Sequence, residues 1–115
     1  MRQFTVEFHL CDSEYMTALR LVAGAVCSAA NANIDVLEDF KVCVTESALV
    51  LRNCGFDKVR AEFQTANGLS CTLSGIGGNP CAGNNEFSLS LIRALVTGCG
   101  IKSDDGVISK VTIKI

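Results

Sequence analysis

A chain of 115 residues that is 49% apolar and 19% charged can bury one moderate core and carries too little charge to stay unfolded, so a single domain over residues 1–115 is expected. The formal net charge is −2 and the ten Lys and Arg form no basic run, which argues against nucleic acid as a partner. No apolar run approaches the roughly 20 residues of a membrane span, and the opening Met1-Arg2-Gln3-Phe4-Thr5-Val6 lacks the apolar block of a signal peptide, so a soluble, cytoplasmic protein is expected.

In chain order, Phe4, Val6, Phe8 and Leu10 alternate with Thr5, Glu7 and His9, the pattern of a half-buried first strand. Asp12 or Ser13 can cap the helix that follows, in which Tyr15, Leu19, Val22, Val26 and Ala30 recur at helical spacing. Residues 31–33 are a polar break. A second helix is expected over Ile34–Asn53, with Asp35, Glu38 and Asp39 near its start and Gly55 as its stop. Val59, Ala61 and Phe63 alternate with Lys58, Arg60, Glu62 and Gln64 in a second strand, and Asn67-Gly68 is a hairpin signal leading to a third over 69–73. Residues 75–85 form a loop rich in Gly and Asn that holds the single proline, Pro80, and closes with Asn84-Asn85 as a helix cap. A third helix is expected over 86–97, and 101–103 pairs with 107–115 around Asp104-Asp105-Gly106. The order β-α-α-β-β-loop-α-β-β predicts an α+β two-layer sandwich. Its sheet would be mixed and mainly antiparallel, with about five strands and three helices on one face.

Seven cysteines invite a metal or disulfide reading, but none stands closer than ten residues to the next, so no ligand pair of the CxxC type exists. The count is odd, and Cys27 and Cys43 sit where a helix calls for small apolar side chains. Buried reduced thiols are therefore expected, with Cys81 in the glycine-rich loop as the candidate for redox chemistry.

The segment from Asp39 to Gly55 carries the candidate site. Its centre, residues 42–51, is apolar on nearly every side apart from Thr45, Glu46 and Ser47. A carboxylate there is costly to bury without water, a cation or a donor, so Glu46 either faces solvent or sits at the floor of a site. This segment resembles the helix of the GHKL ATPase superfamily that bears the catalytic glutamate and the magnesium-binding asparagine. The most similar branch is the bacterial anti-sigma-factor serine kinases. Leu91-Ile92-Arg93-Ala94-Leu95, followed by Ile101-Lys102-Ser103-Asp104-Asp105-Gly106, extends the likeness over nearly the whole chain.

The resemblance implies the GHKL fold, with Glu46 as a remnant general base and Gly75-Ile76-Gly77 as the nucleotide-binding Gly-x-Gly. Four departures accompany it. Val50 stands where the family has its magnesium asparagine. Leu73 replaces the aspartate that accepts a hydrogen bond from adenine. Glu86 and Ser88 fall on the two glycines of the phosphate turn, and Glu86 would oppose a phosphate at the helix N-terminus. Asn53, seven residues after Glu46, returns to the same helix face as a displaced cofactor ligand, about 4.5 Å too far along by helical rise.

Plainer readings stand beside these: Glu46 as a satisfied helix residue, Gly75, Gly77 and Gly78 as a permissive turn, and His9 as an exposed lone histidine. The expected function is a degenerate anti-sigma-factor-like regulatory domain that acts by protein–protein binding, without ATP hydrolysis and without a cofactor. A sigma factor or antagonist protein would be its partner, and a homodimer would form through the first strand and first helix. The alternative is an active serine protein kinase using ATP and magnesium. A third possibility is an uncharged ligand in a cleft lined by Val50, Cys54 and Leu73.

Overall fold

A computed structural model describes residues 3–66 and 68–115. Eight elements follow one another: β1 (Gln3–His9), α1 (Glu14–Ala29), α2 (Ile34–Asn53), β2 (Lys58–Gln64), β3 (Ser70–Ile76), α3 (Glu86–Leu95), β4 (Gly98–Asp104) and β5 (Val107–Lys114). The central helix starts and stops on local chemistry. The Asn33 side chain accepts from the Val36 N–H at 2.9 Å. At the other end Gly55 takes a left-handed φ of +87°, with Gly55 N–H donating to Arg52 O and Phe56 N–H to Leu51 O. That pair of bonds is a Schellman closure, and it satisfies two of the last carbonyls of α2.

The five strands form one sheet in the order β1-β2-β3-β5-β4, and every pairing is antiparallel. The expected mixed sheet is corrected here. Strands β3 and β4 do run in the same direction across α3, but β5 folds back between them and removes any parallel ladder. Alternation then sorts the two faces. Val59, Ala61, Phe63, Cys71, Leu73, Val111 and Ile113 are buried under the helices, while Arg60, Lys110 and Lys114 on the opposite face stay exposed. The molecule is thus an α+β fold of two layers.

Helix α2 packs on α1, on α3 and on the middle of the sheet, so its residues dominate the core. Phe40 meets Phe63 edge-on at 6.0 Å. Cys27, Cys43, Cys54 and Cys71 are buried among these side chains, whereas Cys11 and Cys81 are exposed. No helix of the described residues is long and apolar enough to cross a membrane.

Three boundaries differ from expectation. Strand β3 continues to Ile76, so Gly75 pairs with Val59 inside the sheet rather than opening the loop. The glycine serves packing there, since the Phe56 ring lies where a Cβ on Gly75 would stand. Helix α3 stops at Leu95 because Val96 is already extended and the Thr97 N–H joins Lys114 O at 3.0 Å, which lengthens β4. Of the hairpin signal Asn67-Gly68, Asn67 lies outside the described residues; Gly68 has the positive φ such a turn requires, +89°.

Candidate functional site

The three polar residues in the apolar stretch of α2 divide their tasks. The Thr45 and Ser47 hydroxyls each donate to a carbonyl one turn back, Lys41 O and Cys43 O, at 2.7 Å. Glu46 alone reaches α3, where the Ser88 hydroxyl donates to its Oε2 at 2.8 Å. Glu46 is half-buried, and this donor meets the requirement that a carboxylate in an apolar run be partnered. Four residues on, Val50 is 0% exposed, and Leu73 on β3 is also 0% exposed; both are core positions.

One end of α2 meets the start of α3 through a residue that the sequence placed only as a cap. Asn85 precedes α3, yet its side chain makes no capping bond and is 5% exposed. Its Oδ1 accepts from Asn53 Nδ2 at 3.0 Å, and its Nδ2 donates to Cys54 Sγ at 3.5 Å. The Ile108 N–H from β5 donates to the same sulfur at 3.4 Å. Asn85 and Cys54 thus knit α2, α3 and β5 together at one point. Glu46 and Asn53 share a face of α2 but engage different partners, Ser88 and Asn85.

The glycine-rich segment 77–85 lies across the C-terminal end of α2. Asn79 N–H donates to Gly55 O at 3.1 Å and Cys81 N–H to Cys54 O at 2.8 Å. Gly78 sits at a φ of +72°, where a Cβ would strike Gly55 O, and a Cβ on Gly83 would come within 2.8 Å of Asn53 O. A phosphate cradle needs free backbone N–H groups. Here two of them are spent on the carbonyls of Cys54 and Gly55, just past the end of α2. Gly75 lies in β3 and Gly77 packs on Asp57, so neither contacts Glu46.

Beside this strap is an open groove of about 520 Å³, bounded by Gly83, Asn84, Asn85, Glu86, Leu89 and Ile108 among others. Its one ionisable lining group is the exposed Glu86 carboxylate, at the first turn of α3. Val50, Cys54 and Leu73, expected to line a ligand cleft, do not border it; each is 0% exposed in the core. Among the described residues no group of three or more His, Cys, Asp or Glu side chains is placed to hold a metal ion.

A second, apolar hollow of about 160 Å³ lies between β1 and α1, lined by Phe4, Val22, Ala25 and Val26. Phe4 is 39% exposed, and Leu21, one turn before Ala25, is 70% exposed. Strand β1 is an edge of the sheet, so its outer backbone groups have no strand neighbour among the described residues. His9 lies exposed on that strand. Neither a protein-family model nor a curated protein sequence matches the chain.

Proposed function

We propose that this chain is a GHKL-like domain, akin to the anti-sigma-factor serine kinases, that has lost nucleotide chemistry and works by binding a regulatory protein. The observation that carries this reading is the Ser88–Glu46 hydrogen bond. The resemblance puts a phosphate-turn glycine at position 88 and a general base at position 46. In this chain the side chain at 88 instead occupies the carboxylate that would have to activate a nucleophile.

Three further observations support the same reading. Val50 and Leu73, in place of a magnesium ligand and an adenine acceptor, are absorbed into the core. The groove at the start of α3 presents a carboxylate and no cation, which disfavours a triphosphate. The exposed apolar residues Phe4 and Leu21, beside the open outer edge of β1, provide a contact surface of the kind a partner or a second copy would cover.

Calorimetric titration with ATP and magnesium decides between this reading and an active serine kinase. No saturable heat is expected with tens of micromolar protein. Micromolar, magnesium-dependent binding would restore the kinase.

A further inference from the structure

The cations that lie scattered along the sequence converge in space. Strand alternation places Lys58 and Arg60 of β2, Lys102 of β4, and Lys110 and Lys114 of β5 on the sheet face turned away from the helices. Five of the ten Lys and Arg therefore share one face. The carboxylates on it are Glu7 and Glu62 toward the β1 side and Asp104 at the β4–β5 turn, which leaves nine of the twelve acidic residues elsewhere. The molecule is thus electrically two-sided, basic on the open sheet and acidic over the rest, although its net charge is only −2.

The basic half of that face is built from Ser70, Thr72, Ser74, Lys102, Lys110, Thr112 and Lys114. Lys102 stands directly opposite Lys110 across the β4–β5 ladder, and the partner of Lys110 on its other side is Ser74. Like charges at directly opposed positions are unfavourable. No ion pair relieves Lys102, Lys110 or Lys114 among the described residues; the pairs there are Arg60–Glu7 and Lys41–Glu38. Between the lysines the floor is hydroxylic, with Thr72 and Thr112 bonded to each other at 3.3 Å.

We infer that this open face docks an extended acidic segment of a partner protein. Along β5, Lys110 and Lys114 point the same way four residues apart, a separation of about 13 Å at the rise of a strand. In an extended peptide, carboxylates on alternate residues repeat every ~7 Å and so fall in step with Lys110, Thr112 and Lys114. A counter-anion of this kind also removes the repulsion between Lys102 and Lys110. A nucleic acid fits less well. The aromatic side chains of the strands, Phe4, Phe8 and Phe63, project to the other side of the sheet, so none is offered for base stacking, and Glu7 and Glu62 would repel a phosphate backbone. The inference is independent of the nucleotide reading, because it uses the opposite face of the molecule.

The test is fluorescence anisotropy with a labelled oligoglutamate peptide, alongside a labelled oligothymidylate, at low and moderate salt. Oligoglutamate should bind in the micromolar range and weaken as salt rises. Lys102→Glu with Lys110→Glu should lower its affinity at least about tenfold, while Lys41→Glu in the helical layer should change it less than about twofold. If the double reversal does not fold, Lys102→Gln with Lys110→Gln should still lower the affinity severalfold. Absence of peptide binding at low salt would overturn the proposal. So would equal losses in the sheet and helix variants, or tighter binding of oligothymidylate than of peptide.

Discussion

Asn85 is the residue that ties the start of α3 to the end of α2. Its amide is 5% exposed and is spent on Asn53 and Cys54, whereas the neighbouring Asn84 is exposed and accepts only from the Glu86 N–H at 3.3 Å. Replacing Asn85 by Ala strands the polar groups it serves, and a cost of about 1–3 kcal/mol is expected in urea denaturation, against about 0.5 kcal/mol or less for Asn84→Ala. The buried thiols lead to a second expectation. Burial pushes the Cys43 thiol up to about 12, with the nearby Asp39 carboxylate adding to it, and pushes Cys27 up to about 11. Burial also raises Cys71 well above the ordinary value of 9.0. The folded protein therefore keeps protons that the unfolded chain releases above about pH 9. Their stabilising effect is complete below that pH and is lost as pH rises toward about 12. The urea midpoint should hold steady to about pH 8.5 and then fall, and Cys43→Ala should make the alkaline decline shallower.

The elements differ in how much of their information is local. Helix α2 spans Ile34–Asn53, as its sequence predicts, because the Asn33 cap and the Gly55 closure both act within a few residues of its ends. The end of β3 was not readable in the same way. Gly75 belongs to the strand through its pairing with Val59, and it is a glycine because the Phe56 ring, arriving from the turn before β2, fills the place of a side chain; a glycine-rich stretch by itself reads as a loop. Gly75→Ala should accordingly cost about 1–3 kcal/mol by overpacking against that ring, and a smaller residue at 56 should recover part of the loss in a double-mutant cycle. The candidate site was legible to a similar depth. That Glu46 must either face solvent or find a partner followed from its apolar surroundings. Ser88 as that partner did not, since the two lie 42 positions apart and meet only when α3 packs on α2. Asn85 was visible as a cap and hidden as a bridge, because its partners Asn53 and Cys54 lie more than thirty positions away and reach it only when the start of α3 packs against the end of α2.

At the scale of the whole molecule, strand order decides what the surface offers. The lysines of β2, β4 and β5 share a face because each stands at an outward position of its strand's alternation, the strand order sets those positions side by side, and no run in the sequence announces it. The same order leaves β1 on the rim with Phe4 unfinished: it touches Phe63 at 6.5 Å on one side and remains 39% exposed on the other. Leu21 and the hollow formed by Val22 and Ala25 continue that apolar surface onto α1. If two copies cover it by pairing across this rim, each screens the edge of the other from non-specific strand addition. Light scattering coupled to size exclusion should then give a dimer at tens of micromolar. Leu21→Asp, at a position 70% exposed in the single chain, should leave the fold intact and raise the dimer dissociation constant at least about tenfold, since a carboxylate would be buried against apolar partners. A wild-type chain that stays monomeric at those concentrations would remove self-association and leave the rim to a different protein. A dimer unmoved by Leu21→Asp would place the contact elsewhere on the molecule.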